Sequence, residues 1–483
     1  MTTFPSIPYA SPRPWRREWT RAQRSILRLL EYLFVLIVLV ICLNGWRTIF
    51  VRVSDSPSSL TEANLGFQVV SGALYLVAVA FLLAHAPRFI RLCRGNWPLL
   101  LLLGIIVASA VWSLYPLVTF RRATALLLTT GFGAYLAMRF SPESALKLVA
   151  WACCIAAVAS LVLVVVDPRV AVHQAGDIHE GAWRGIFGHK NNMGRSMAFA
   201  VVTLAATAFI VGSAARLAVL AGALVCGALL AMSLSRTGWV VAFFVVMAVP
   251  LFLVLQPNRF SRGIRIFAAG LGAIVALTLI ALGYKYGLAL MGRDDTLSGR
   301  TRLWELAINS GMKHFALGAG YRAYWTEAGS MDVTAETSIG GGSLGNGHNG
   351  YLDTWLEIGL LGFAAFLLVL ATAARRIMRS LTLTPDPAII WLAMILSYMA
   401  IYAWTEQILI QQSEITWVML VAVLFWLTPN RSRVRLTRPV APKAAALSVP
   451  KAARRHVGAD SFGAERPPVR LLEPYTSRHD EPN

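Results

Sequence analysis

Apolar runs of bilayer-spanning length recur along this chain, separated by short polar hairpins and two longer polar stretches. A helix needs about 20 mostly apolar residues to cross ~30 Å of hydrocarbon. Candidate runs cover 29–46, 66–85, 98–117, 123–138, 148–166, 193–211, 217–233, 237–255, 266–284, 351–374, 388–403 and 415–427. The pattern predicts an all-α, polytopic membrane protein of about 12 transmembrane helices. The runs at 123–138 and 415–427 are short, as tilted or re-entrant segments are. A basic segment, 1–28, precedes the spanning region 29–427. The tail 428–483 is rich in Arg, Pro and Ala without apolar period and is expected to be disordered.

The two longer polar stretches are 167–192 and 285–350. The second, between the ninth and tenth runs, exceeds ordinary connections and should carry structure of its own. Within it, 303–312 can form a short helix and 338–347 is Gly-rich.

Composition supports the membrane reading. Hydrophobic residues are 57% of the 483 and charged residues 14%, where soluble domains carry about 25% charged. The net charge of +20 sits largely in short loops and in the tail, which argues for topology determinants and against a nucleic-acid-binding protein. Arg13, Arg16, Arg17, Arg21, Arg24 and Arg28 open the chain. Arg88, Arg91 and Arg94, then Arg259, Arg262 and Arg265, then Arg375, Arg376 and Arg379 fall on the same side across twelve spans. That side and both termini are expected to be cytoplasmic, with 167–192 and 285–350 on the other face. The first apolar run lacks a small-residue cleavage site and reads as an uncleaved anchor. Cys42, Cys93, Cys153, Cys154 and Cys226 lie in or beside apolar runs without C-x-x-C or zinc spacing, as inert small hydrophobes do.

Arg121, Arg122, Arg184, Arg195, Arg236 and Arg300 run against this charge pattern, at or near the outer face. An arginine at the bilayer centre costs about 2.5–3.5 kcal/mol on insertion scales. Two readings stand: interfacial arginines that snorkel, or a set that binds an anion. For the set, the second is more economical, because guanidinium suits bidentate phosphate contacts.

Four local patterns bear on the choice. Trp183 to Arg195 packs Arg184, His189, Lys190, Asn191, Asn192 and Arg195 into the entrance of the sixth span. Ser233-Leu234-Ser235-Arg236-Thr237 is a hairpin so short that Arg236 must stay near the bilayer surface, or it is a simple polar turn. In Ser298-Gly299-Arg300-Thr301-Arg302, Ser298 can cap the following helix, whose N-terminus with Arg300 would attract an anion. Gly347-His348-Asn349-Gly350-Tyr351 opens the tenth span, with Asp353 and Glu357 on one helix face. His348 can take a proton near neutral pH. Charged residues inside a span should face protein rather than lipid. His173, Asp177, His179 and Glu180 match no strong zinc motif. No metal and no other cofactor is expected. The absence of an ATP-binding motif argues against an ATP-driven pump.

The stretches RGIFGHKNNMGR, SLSRTGW, SGRTRLWE and GHNGYLDTWLEIGLLG, in this order, resemble the O-antigen ligase and Wzy-type polysaccharide polymerase superfamily, most of all its ExoQ-like exopolysaccharide-production branch. The resemblance runs from about Pro98 through the twelfth span. It implies a bacterial inner-membrane glycosyltransferase, metal-independent, with its active site at the periplasmic face. The donor would be an undecaprenyl-pyrophosphate-linked oligosaccharide. The acceptor would be a glycan in a polymerase or lipid A core in a ligase. Polysaccharide-assembly proteins and the lipid bilayer are the implied partners. The resemblance assigns Arg184, Arg236 and Arg300 to the pyrophosphate and His348 to the base. Arg121, Arg122, His189, Lys190, Asn191, Asn192, Arg195, Asn349, Tyr351, Asp353 and Glu357 are the further substrate-binding candidates. A flippase for lipid-linked sugars is the competing class. It would tend to show inverted repeats and broken helices at mid-membrane, whereas here the polar motifs concentrate at one face.

Overall fold

A computed structural model describes residues 21–45, 65–177, 179–248, 253–254, 261, 264, 300–326, 345–383 and 386–429. The candidate span at 266–284 and the tail from 430 lie outside the described residues. The helices of more than one turn are α1 (Arg21–Cys42), α2 (Leu65–Ala84), α3 (Ala86–Arg94), α4 (Trp97–Ala108), α5 (Pro116–Arg139), α6 (Pro142–Val166), α7 (Lys190–Thr207), α8 (Ser213–Met232), α9 (Arg236–Met247), α10 (Arg300–Gly311), α11 (Gly350–Leu383), α12 (Pro387–Tyr402) and α13 (Ile415–Trp426). The described fold is helical, with one isolated β-bridge between Val172 and Trp183. Local chemistry sets several starts. Pro116, Pro142 and Pro387 stand at N1, where the missing N–H costs nothing. Ser141 accepts from the Ser144 N–H, and Asp386 from the Ala388 N–H.

This is a multi-pass membrane protein. By length and composition, five described helices can cross a bilayer, or six if the bent pair α3 and α4 counts as one span. The described helices depart from the twelve expected runs in three ways. First, the basic connection carrying Arg88, Arg91 and Arg94 is itself helical, and α3 meets α4 at 94°. Its arginines recur every third residue, so they share one helix face and Leu92 is buried. Second, α5 begins seven residues before the expected 123, so Arg121 and Arg122 belong to its first two turns. Third, α12 and α13 have 16 and 12 residues. At 1.5 Å per residue they reach only about 24 and 18 Å.

Between α12 and α13 the chain runs without helix through 403–414, yet Gln407, Ile408, Leu409, Ile410, Ser413 and Glu414 are buried. Non-helical backbone at this depth persists only inside protein or along a polar cavity. Here the tertiary structure satisfies it. The Ser413 N–H donates to Thr129 Oγ1 at 3.1 Å in the middle of α5, and Thr416 Oγ1 donates to the Ile408 carbonyl at 2.9 Å. Every residue of α13 is buried, so this short apolar helix is the core of the bundle rather than a lipid-facing span.

Helix α11 is not one continuous span either. Gly359 has φ 66° and ψ −173°, which breaks the helix nine residues after its start. The chain at 315–320 is sewn into that break. The Ala319 and Gly320 N–H groups donate to the Leu356 and Glu357 carbonyls at 2.9 and 3.0 Å. In return, the Leu360 and Leu361 N–H groups donate to the Phe315 and Ala316 carbonyls at 2.9 and 3.2 Å. Only a residue without Cβ fits, since a Cβ on Gly359 would lie 2.3 Å from the Ala316 oxygen. Asp353 and Glu357 therefore sit in a short helix ahead of the break.

The two ends of the bundle differ in chemistry. At one end Arg139 pairs with Glu31, and the Trp426 Nε1–H donates to the Phe140 carbonyl at 2.9 Å. Arg376 donates there to Asn96 Oδ1, the Leu424 carbonyl and the Gly95 carbonyl at 2.6 to 2.7 Å. This bond set brings together two of the basic clusters expected to share a side. The opposite end gathers the polar motifs.

Candidate functional site

The site end is built on the non-helical 403–414 connection. Helix α7 approaches it through a tight crossing, where a Cβ on Gly194 would meet Ser235 Cβ at 2.2 Å. That contact places the 189–195 motif against the hairpin that carries Arg236. The first residues of α11 are tied to the same connection, since the Gly350 N–H donates to the Ala403 carbonyl at 2.7 Å.

Three carboxylates tie the motifs to this connection, Glu406 and Glu414 from the connection itself and Glu357 from α11. Glu414 is buried, lies 3.2 Å from Arg195 Nη2 and accepts from Asn44 Nδ2 at 2.9 Å. Glu357 Oε1 accepts from Gln407 Nε2 at 2.9 Å and lies 3.8 Å from Arg322 Nη1. Glu406 accepts from Asn191 Nδ2 at 3.3 Å, and its second oxygen lies 3.4 Å from His348 Nδ1. Asp353 faces elsewhere. It accepts from the Trp325 Nε1–H at 2.8 Å and the Gly347 N–H at 3.0 Å, fastening the loop just before His348. The shared helix face of Asp353 and Glu357 thus serves two different surroundings.

His348 has φ 49°, a left-handed conformation that costs a non-glycine residue about 1–2 kcal/mol. Its N–H donates to Asn346 Oδ1 at 2.9 Å, and the next residue, Asn349, accepts from the Tyr351 and Leu352 N–H groups. Asn349 therefore caps α11. Tyr351 donates to the Ala400 carbonyl at 2.9 Å and packs on Trp404, an anchoring position.

The outer arginines occupy different surroundings. Arg184 is buried and spends Nε and Nη2 on the Val170 and Arg169 carbonyls at 2.8 and 3.1 Å. Arg195 is buried against Glu414 and also donates to Asn192 Oδ1 at 3.4 Å, while its Nε has no hydrogen-bond partner among the described residues. Arg122 donates to the Arg322 carbonyl. Arg121 is exposed on α5, and Arg236 is exposed at the start of α9. Arg300 is the first residue of α10, and its side chain lies outside the described residues. Lys190 opens α7 half-buried, and Asn192 Nδ2 donates to the Phe187 carbonyl at 3.4 Å.

In the 167–192 stretch the rings of His173, His179 and His189 stand 5.3 to 5.5 Å apart, edge to face. His189 Nδ1 accepts from the Asn191 N–H at 3.2 Å as the cap of α7. Burial, with His179 and His173 beside it, pushes the His189 imidazole down to about 4. Burial opposes the charge on Asp177, yet hydrogen bonds from His173 and the His179 N–H hold its carboxyl below the usual range. Among the described residues no group of His, Cys, Asp and Glu is arranged to hold a metal ion.

Residues 221–367 match the family described as Wzy_C, O-Antigen ligase. The chain carries an O-antigen ligase family domain. The Wzy_C match contains Arg236, Arg300, His348, Asp353 and Glu357. It stops before Glu406 and Glu414, and it begins after the 183–195 motif. A 117-residue stretch is 34% identical to the Exopolysaccharide production protein ExoQ of Rhizobium meliloti (strain 1021). The alignment covers 23% of this chain and 27% of that protein, so the match spans only about a quarter of the curated relative.

Sequence reasoning passed over Asn44, Arg322, Glu406, Gln407 and Glu414. The available signal was a connection between two short apolar runs that holds two carboxylates and three glutamines, Gln407, Gln411 and Gln412. A simple surface hairpin does not need so many hydrogen-bonding side chains.

Proposed function

We propose that this protein is a polysaccharide polymerase, an inverting glycosyltransferase that moves a glycan from undecaprenyl pyrophosphate to a sugar hydroxyl at the periplasmic face, in exopolysaccharide biosynthesis. The observation that carries it is the meeting of Asn191, Arg195, His348 and Glu357 on one largely buried, non-helical connection at one end of a membrane bundle. These residues come from separated sequence motifs, and surface chemistry at a membrane boundary is the use that explains their convergence. The basic clusters at the opposite end favour a cytoplasmic assignment there.

In this reading the acceptor hydroxyl gives its proton to the His348 imidazole as its oxygen bonds to the anomeric carbon. The bond from that carbon to the pyrophosphate breaks, and lipid pyrophosphate departs with its electron pair. A single displacement of this kind inverts the anomeric centre. Arg236 and Arg300 are the preferred pyrophosphate ligands. Arg184 and Arg195 act chiefly as scaffold, because peptide carbonyls hold one and Glu414 neutralises the other. Losing one such charge-stabilising donor costs about 3–4 kcal/mol of transition-state stabilisation. No step calls for a metal ion or nucleotide. Transfer to lipid A core is the alternative acceptor chemistry, and the family description favours keeping it in the test.

The test uses the purified full chain with lipid-linked oligosaccharide. Product lengthening with release of lipid pyrophosphate, lost in His348→Ala, is expected. Movement of the lipid-linked sugar without bond formation overturns the enzyme reading, and a retained anomeric configuration overturns single displacement.

A further inference from the structure

We infer that Glu406 is a positioning residue for His348: its carboxylate holds the Nδ1 edge of the imidazole and leaves Nε2 for the acceptor hydroxyl. This rests on the reading of His348 as the base. Glu406 sits, partly buried, in the non-helical 403–414 connection, outside the matched family region. Its two oxygens are divided between two motifs, one 3.3 Å from Asn191 Nδ2 and the other 3.4 Å from His348 Nδ1.

The backbone fixes this arrangement. The Glu406 N–H donates to the Tyr402 carbonyl at 3.1 Å, and Ala403 accepts from Gly350, two residues after His348. A Cβ on Gly350 would lie 3.1 Å from the Glu406 carbonyl oxygen, so the two segments run in close contact. His348 is also held in its left-handed conformation at this junction. Strain retained beside a charged partner marks a side chain whose placement matters.

The chemistry follows from imidazole tautomers. With its proton on Nδ1 and directed at a carboxylate, the neutral ring carries its lone pair on Nε2. When Nε2 takes the acceptor proton, the nearby carboxylate stabilises the imidazolium that forms. At 3.4 Å the two groups approach as an ion pair without a hydrogen bond, since His348 Nδ1 has no hydrogen-bond partner among the described residues, and the separation exceeds the ~2.7–2.9 Å of a settled charge-assisted bond. Catalytic contacts are commonly long without substrate and tighten when it binds. Glu406→Gln keeps an acceptor for Asn191 and removes the charge.

General acid–base catalysis contributes about 10²–10⁴-fold, which bounds what the positioning residue can supply. The experiment measures kcat and KM for the full chain with lipid-linked oligosaccharide in Glu406→Gln, Glu406→Asp, His348→Ala and the double variant. Glu406→Gln is expected to lower kcat about 100-fold with little change in KM, within that bound. Glu406→Asp should recover part of the loss. In the His348→Ala background, Glu406→Gln should cost little more, because residues acting as a unit are not additive. If His348→Ala is slow but Glu406→Gln is as fast as wild type, or costs the same factor with and without His348, the positioning role is overturned. If His348→Ala is itself fully active, the base assignment falls first. Matched thermal unfolding of Glu406→Gln and wild type separates a chemical loss from a folding defect.

Discussion

Glu414→Ala removes the carboxylate that lies 3.2 Å from Arg195 Nη2 and accepts from Asn44 Nδ2 at 2.9 Å. All three side chains are buried. Arg195 Nε already lacks a hydrogen-bond partner among the described residues, and Asn192 Oδ1 at 3.4 Å is a weak substitute. The variant therefore strands a guanidinium in a site with little water to solvate it. Breaking a buried ion pair from one side costs about 3–5 kcal/mol. Loss of this acceptor for the Asn44 amide adds about 1 kcal/mol. A total of about 4 kcal/mol is expected, since rotation of Arg195 toward the site opening relieves part of the ion-pair loss. The same physics makes the pair itself contribute little: Arg195→Met with Glu414→Leu should stand within about 2 kcal/mol of wild type. The assay is unfolding free energy in mixed micelles by denaturant titration, with single and double variants in one cycle. If Glu414→Ala costs less than about 1 kcal/mol, the carboxylate is not the partner that holds Arg195. If the double variant loses the sum of the two single losses, the burial argument fails.

Gly359→Ala forces a left-handed residue costing about 1–2 kcal/mol and drives a Cβ to 2.3 Å from the Ala316 oxygen. The expected outcome is faster hydrogen exchange at the Ala319 and Gly320 amides and a lower unfolding midpoint; unchanged exchange refutes the sewn junction. The His189 imidazole is pushed down to about 4, against about 6.5 in an unfolded chain. The unfolded state binds more protons between those values, so stability is full above about 6.5 and falls on acidification toward 4, by at most about 3 kcal/mol. His189→Asn keeps a capping side chain and should flatten that slope, as read from unfolding midpoints at about pH 7.5 and about pH 5, on either side of the unfolded value. An unchanged slope would refute it.

The membrane character and the candidate residues were legible because they depend on local facts. Apolar run length decides which segments prefer lipid, and the family-like motifs are contiguous strings. His348 beside its capping Asn349, and Arg236 in its short hairpin, could be singled out without any fold. The spacing of Asp353 and Glu357 also gave their common helix face. It could not give their separate partners, since Trp325 and Gln407 come from distant segments.

What the tertiary structure decided is where charge is neutralised. A hydropathy pattern assigns 403–414 to an ordinary turn, yet twelve buried residues of α13 and the hydroxyl of Thr129 draw that segment into the bundle. Its carboxylates then meet Arg195 and His348, which belong to motifs far away along the chain. Likewise, the string of outer arginines looks uniform in one dimension, but peptide carbonyls hold Arg184, Glu414 holds Arg195, and Arg236 stays exposed. Coulomb and hydrogen-bond energies depend on distance in space, and helix periodicity carries no record of which far segment supplies the counter-charge.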